Sequence, residues 1–271
     1  RTIAPEIIFG SINLTNQVGN SFGQLISYRL KMAGARPYFV KAEMQSVDEE
    51  PKAEAALPSL QKEIKVENLS FSYGEKEVLK GQNLTFQKGG KYAIVGRSGC
   101  GKTTFLKLLL GQLKGYEGKI LYDGKELSSY DVDSFYEQMA YIEQSIFLFD
   151  TSIRNNITLG DGVSAEKLEE ILAMSALKEE IKKFPDGLET KAGENGKNLS
   201  GGQKQRIAVA RALAHDRQIL FVDEGTSALD AENAMVIEQA LLLCKNLTLI
   251  LITHHMKEEN LPLFDKVYRL G

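Results

Sequence analysis

Gly96–Thr104 reads GRSGCGKTT and satisfies the spacing G-x-x-x-x-G-K-[ST] in full. It follows an apolar run, YAIV, and precedes TTFLKLLL, the strand-to-helix setting in which such a loop wraps phosphate. Gly96, Gly99 and Gly101, with Ser98 between them, free the backbone to approach an anion closely. In this arrangement Lys102 reaches the β- and γ-phosphates of a nucleotide, and Thr103, followed by Thr104, offers a hydroxyl to Mg²⁺. The metal's second protein oxygen is found in ILFVDE. Four apolar residues carry Asp223 to the C-terminal end of a buried strand, where ligands bind in open α/β sheets. Glu224, next along, is then a candidate general base for an attacking water. Two acids ending a buried strand without a cation are an expensive alternative.

Four further stretches carry chemistry less specifically. NLSGGQKQRIAVARALAH, Asn198–His215, places Gly201 and Gly202 at a helix start just after Ser200, a good N-cap. A helix N-terminus with bare backbone N–H groups is a second anion site in a chain that already has a better-equipped one. THH at Thr253–His255 ends another apolar strand, level with the Asp223 strand end, so His254 can reach a γ-phosphate, whereas His255 reads as structural or exposed. Gln144 in YIEQSIFLF follows a short strand and says nothing by itself. Tyr73 in FSYG reads either as core or as a ring placed before a turn to stack on a purine.

These groups need a scaffold, and the hydrophobic pattern supplies one. IKVENLSFSYG, NLTFQKGG and KYAIVG read as short strands separated by turns, and GKILYDGKEL reads as a hairpin. TTFLKLLLGQL reads as a helix closed by Gly115, and Ser164–Lys183 as another helix with Leu168, Ile171, Leu172, Leu177 and Ile181 on its apolar side. QILFVD, LTLILI and DKVYRL complete a set of strands alternating with helices, the pattern of a parallel sheet covered on both faces. Val47–Glu63, with two prolines and many charges, reads as a linker.

The 271 residues, 43% hydrophobic and 25% charged, have ordinary globular composition. A net charge of -3 argues against a nucleic-acid binder held by bulk charge. Two cysteines, Cys100 and Cys244, require no disulfide framework and suit a reducing compartment. The chain opens at Arg1 without a signal peptide, which points to a fragment of something longer. Ile3–Leu30 is fairly apolar but interrupted by Glu6 and several amides, so a lone lipid-exposed span is not supported. A helix lining a polar cavity in a bundle and a soluble helical arm fit it equally.

The ordered set FSYG, GRSGCGKTT, EQSIFLF, LSGGQKQR, ILFVDEGTSALD and ITHH resembles the nucleotide-binding domain of ATP-binding cassette transporters, from Glu63 to Gly271. FLFDTSIRNNI after Gln144, and a helix-like Ser11–Met44 leading into the cassette, are similar to the exporter branch, in which membrane helices and cassette share one polypeptide. The resemblance implies an α/β fold. Its core is that of a P-loop NTPase (RecA-like) with a parallel sheet, joined by an antiparallel β subdomain, a helical subdomain inserted between Phe147 and Asn198, and an N-terminal helical extension. It implies the end of a transmembrane helix over 1–45, a linker over 46–63 and the cassette over 64–271.

It further implies roles: Tyr73 stacking on adenine, Gln144 near Mg²⁺ and the transmembrane interface, and His254 as the switch histidine. Ser200, Gly201, Gly202 and Gln203 match the signature motif, and Asp230 falls in the D-loop, SALD. In the family two cassettes pack head to tail, so the signature of one caps the ATP of the other. ATP and Mg²⁺ are the implied ligands. The implied partners are a second cassette and the transmembrane domains of the same polypeptide, with the cassette on the cytoplasmic side of the cell membrane. The chain departs from the pattern at Gly225, Asn195 and His255, none of them a hydrolytic group. Two other classes are weighed: a soluble ABC ATPase working on nucleic acid or ribosomes, which calls for coiled-coil insertions or tandem cassettes, and an importer cassette, which is normally a separate chain.

Overall fold

The computed structural model describes residues 55–223, 229, 231–253 and 258–270. The expected N-terminal helix over 1–45, together with Glu224, Gly225, Asp230, His254 and His255, lies outside the described residues. Ala53–Gly271 forms a compact unit.

In chain order its elements are β1 (Glu63–Tyr73), β2 (Lys76–Gln87), β3 (Lys91–Val95), α1 (Lys102–Leu109), β4 (Glu117–Tyr122), β5 (Lys125–Glu126), α2 (Phe135–Gln138) and β6 (Met139–Ile142). Then come α3 (Ile153–Thr158), α4 (Ala165–Met174), α5 (Lys178–Ile181), α6 (Gly201–Ala214), β7 (Ile219–Asp223), α7 (Ala231–Leu243), β8 (Thr248–Thr253) and β9 (Lys266–Arg269). Five strands form a sheet in the order β6-β7-β8-β3-β9, parallel at every pairing. Every residue of ILFVD in β7 is buried, as a strand covered on both faces requires.

The second sheet, β2-β1-β4-β5, is antiparallel. Its β1 carries Ile64 and Val66 inward, then Leu69 and Phe71, a change of parity that a regular strand cannot make. A register shift between Val66 and Leu69, with Asn68 at φ 48°, restores the phase. Gly118 on β4 faces this irregularity at φ 91°, and a Cβ there would come within 2.4 Å of the Asn68 carbonyl oxygen. No other residue type fits.

Boundaries differ from the sequence expectation in three places. The helix after the glycine loop stops at Leu109, not near Gly115, because Gly111 turns at φ 68° with the Phe135 ring packed 2.9 Å from where a Cβ would be. The single helix expected over Ser164–Lys183 is two, broken where Ala176 adopts φ 54° and Leu177 N donates to the Leu172 carbonyl. The linker over 46–63 ends earlier than expected. Leu57 and Leu60 are buried in the main core, and the backbone N–H groups of Gln61, Lys62 and Glu63 all donate to the Asp123 carboxylate at 2.7–2.9 Å. Residues from Leu57 onward therefore pack with the folded unit that follows.

The helical insertion has its own core, in which Leu148, Ile153, Leu168, Leu172, Leu177 and Ile207 are buried together. Helix α6 joins this core to the sheet: Ile207, Ala210 and Ala214 face the insertion, while Ala208 and Val209 pack with the β7 and β8 strands. Among the described residues no helix is long and apolar enough to cross a membrane. Cys100 and Cys244 are unpaired.

Candidate functional site

The five parallel strands aim their C-terminal ends at one edge of the sheet, and β3 and β7, both flanking β8, deliver the two halves of the site there. From β3 the chain enters the glycine loop. Gly99 and Gly101 take φ 77° and 97°, which side chains resist, and Gly101 also lies against Val78, 2.8 Å from a Cβ it does not have. At Gly96 a Cβ would meet the Leu270 carbonyl oxygen at 2.4 Å, so that glycine answers to space rather than to dihedral angle. Ser98 is exposed at the loop, while Thr104 is half-buried in the first turn of α1. Helix α1 begins without a side-chain cap, leaving its first N–H groups directed into the loop's concavity.

Lys102 is buried, and its Nζ donates to the carbonyls of Gly96 at 2.9 Å and Arg97 at 3.0 Å. The ammonium thus sits inside the loop, held by groups that an incoming phosphate can replace. Thr103 Oγ1 donates to Asp223 Oδ2 at 2.7 Å, across 120 residues of sequence. Asp223 is only 3% exposed, and its described side-chain partners are two hydroxyls, Thr103 and Tyr141, the latter at 3.4 Å. Burial, then the Asp223 charge, raises the Tyr141 hydroxyl above its ordinary pKa, so it stays a donor.

A buried carboxylate beside a hydroxyl oxygen is a hard-donor pair that suits Mg²⁺, which takes one or two protein oxygens and completes its shell from phosphate and water. Among the described residues no cluster of three or more His, Cys, Asp or Glu forms an all-protein cage. The donor set fits a cation carried in by a nucleotide.

Tyr73 ends β1 at the hairpin whose second strand supplies Val78 to the glycine loop, so the ring stands on the loop's side of the cassette. It is 50% exposed and touches Phe71 edge-on, with ring centroids 4.9 Å apart at 89°. That contact leaves a ring face open. Gln144 is exposed just beyond β6. Beside it runs a groove of about 510 Å³ whose walls include Tyr141, Glu143, Phe147, Arg211 and His215. Arg211 fixes this wall by donating to the carbonyls of Asn156 and Phe147 and to Asn156 Oδ1.

Ser200 caps α6 by accepting from Gln203 N at 3.2 Å, and Gln203 Oε1 accepts from Ser200 N at 2.9 Å. Both side chains are thereby committed, and the N–H groups of Gly201 and Gly202 are left for an outside acceptor. Gln203 also donates to Glu180, which lies 3.3 Å from Arg206. Hydrogen bonds from Lys183 first and Gln203 second hold the Glu180 carboxyl below its ordinary range. Among the described residues, no hydrogen bond or ion pair joins Ser200–Gln203 to the Gly96–Thr104 loop.

The structure therefore brings together Lys102, Thr103 and Asp223, sets Tyr73 on the neighbouring hairpin and holds Gln144 at the end of β6. It keeps the signature stretch apart from these, at the start of α6. Sequence reading did not single out Tyr141 or Arg211. An aromatic in a strand and a basic residue in an alanine-rich helix carry no signal until β6, β7 and α6 are packed.

The ABC transporter family profile matches residues 79–227, which runs from β2 through the loop, the signature helix and the Asp223 strand. The chain is 39% identical over 215 residues to the Multidrug resistance protein pgp-1 of Caenorhabditis elegans, covering 78% of this chain and 16% of that protein. It is 35% identical over 263 residues to the ATP-dependent lipid A-core flippase of Vibrio vulnificus, covering 94% of this chain and 44% of the relative. Among solved structures, a bacterial Atm1-family ABC exporter with ATP bound superposes with a TM-score of 0.74 at 32% identity, over 83% of this chain and 39% of that one. The chain spans less than half the length of these relatives. With a glycine loop of matching spacing, Thr103 hydrogen-bonded to Asp223 and a separate capped helix on one α/β scaffold, and with that profile over more than half its length, the chain belongs to the ABC transporter family.

Proposed function

We propose that this chain is the ATP-hydrolysing motor of a membrane exporter, a cassette that works as a head-to-tail pair beneath transmembrane domains of its own polypeptide, on the cytoplasmic side. The observation that carries the reading is the 2.7 Å bond between Thr103 Oγ1 and Asp223 Oδ2, which joins the glycine loop to the C-terminal end of β7. Tyr73 stacks on the adenine, and the loop N–H groups with Lys102 hold the β- and γ-phosphates. Thr103, Asp223 and Gln144 would hold Mg²⁺, which would supply neutralisation of phosphate charge. Glu224 orients and deprotonates the attacking water, His254 contacts the γ-phosphate, and Asp230 lies at the contact between the two cassettes. Ser200, Gly201, Gly202 and Gln203 of one cassette close over the nucleotide held by the other, a role supported by the absence of any hydrogen bond or ion pair from them to the chain's own loop among the described residues.

Support for the exporter branch comes from the relatives. The alignment to the flippase spans 263 residues, more than the 64–271 cassette contains, so the likeness continues into the segment ahead of it. Neither the nucleic-acid ATPase nor the importer reading has an observation in its favour. The test is Glu224→Gln, which keeps shape and removes basicity. Turnover falls about 10²-fold or more while ATP affinity holds or rises. Wild-type turnover in that variant contradicts the assignment.

A further inference from the structure

Tyr141 lies on β6 opposite Phe221 of β7, in parallel register. Phe221 and Asp223, two residues apart, project to the same face, so a long side chain at 141 leaning along its strand reaches the Asp223 carboxylate. Its hydroxyl donates to Asp223 Oδ2 at 3.4 Å, the oxygen that also accepts from Thr103 Oγ1 at 2.7 Å. Among the described residues neither bond falls on Oδ1. Two donors converging on one oxygen from two different elements fix the plane of the carboxylate and leave the other oxygen for a cation. A single donor leaves the group free to pivot about that bond.

We propose that Tyr141 is a positioning residue for the divalent cation, acting through its hydrogen bond to Asp223. This rests on the reading of Asp223 as a metal ligand, and the experiment separates the two. Its ring is half-buried in the wall of the groove beside Gln144, so Tyr141→Phe keeps that packing and deletes only the hydroxyl.

Manganese binding to the purified chain, with a non-hydrolysed ATP analogue present, is followed by paramagnetic resonance of free Mn²⁺. Analogue binding without metal is titrated in parallel. Tyr141→Phe is expected to weaken Mn²⁺ by about threefold to tenfold, the net scale of one ordinary hydrogen bond, with metal-free analogue affinity unchanged. Para-fluorophenylalanine at the same position, which fills the ring volume and cannot donate, gives the same shift and replaces the Phe variant should that one fail to fold. Mn²⁺ affinity within about twofold of wild type, or tighter, overturns the proposal. So does an equal loss of metal-free analogue binding, which marks a packing role. Asp223→Asn is the control. If it too leaves Mn²⁺ affinity untouched, the metal-ligand reading of Asp223 fails. If it abolishes Mn²⁺ binding while Tyr141→Phe does nothing, only the Tyr141 proposal fails.

Discussion

Lys102 shows how a single residue can be prepared for a ligand it does not yet touch. Its ammonium is buried and bonded to the Gly96 and Arg97 carbonyls, so its desolvation cost is met within the loop before phosphate arrives. Lys102→Ala deletes that fixed cation and leaves the glycine turns in place. Nucleotide affinity, measured by titration calorimetry, is expected to fall about tenfold to a hundredfold, with little change in thermal stability. Near-normal affinity removes Lys102 from the site. The convergence of Lys102, Thr103 and Asp223 was legible in the sequence because each belongs to a contiguous motif set between a strand and a helix or at a strand's end. Tyr141 was not, since its role exists only when β6 lies beside β7, and strand order is not written in any local pattern. Asp123 is a similar case. An aspartate in a tight turn at φ 49° predicts the turn and not the three N–H groups of Gln61–Glu63 that it gathers.

Elements were legible where one hydrophobic period ran uninterrupted. The runs in β7 and β8 could only be buried strands, and the alanine-rich stretch after Ser200 could only be a capped, packed helix. Legibility failed where tertiary contacts end an element. Helix α1 stops because Phe135 packs over Gly111, and α4 stops at a left-handed alanine. The charged, proline-bearing stretch before β1 was read as linker, yet Leu60 is fully buried in the main core. Leu60→Ala is therefore expected to lower the unfolding free energy in urea by about 2–5 kcal/mol, where a linker residue changes it by less than about 0.5 kcal/mol.

The insertion's hold on the signature helix is electrostatic as well as apolar, through Gln203 and Arg206 on Glu180. Because folding lowers the Glu180 pKa, its contribution to stability is complete above the ordinary carboxylate value of 4.5 and is lost as pH falls through the lower, folded value. The difference in urea midpoint between wild type and Glu180→Gln is expected to be constant near neutral pH and to close in that acid window. A difference that widens on acidification has the wrong sign.

At the scale of the whole molecule, the glycine-loop site and the start of α6 are separate, with no hydrogen bond or ion pair between them among the described residues. The glycine loop, Thr103 and Asp223 stand at the C-terminal edge of the parallel sheet, while Ser200–Gln203 opens the helix that bridges the sheet and the helical insertion. On the proposed reading, each such cassette binds its nucleotide with its own loop and completes the enclosure of the γ-phosphate with a second cassette, two such sites being generated by one two-fold axis. That proposal makes nucleotide part of the interface, with hydrolysis loosening the pair.

Cis and trans closure are separated most directly by mixing two inactive chains, one carrying Glu224→Gln and the other Ser200→Arg, and measuring ATP hydrolysis. If the signature serves the partner, a mixed dimer has one site with both faults and one with neither. An equal mixture then recovers activity, up to about a quarter of the wild-type rate when a single intact site suffices and pairing is random. If each signature serves its own glycine loop, every site in the mixture carries a fault. A mixture no more active than either variant alone contradicts the account.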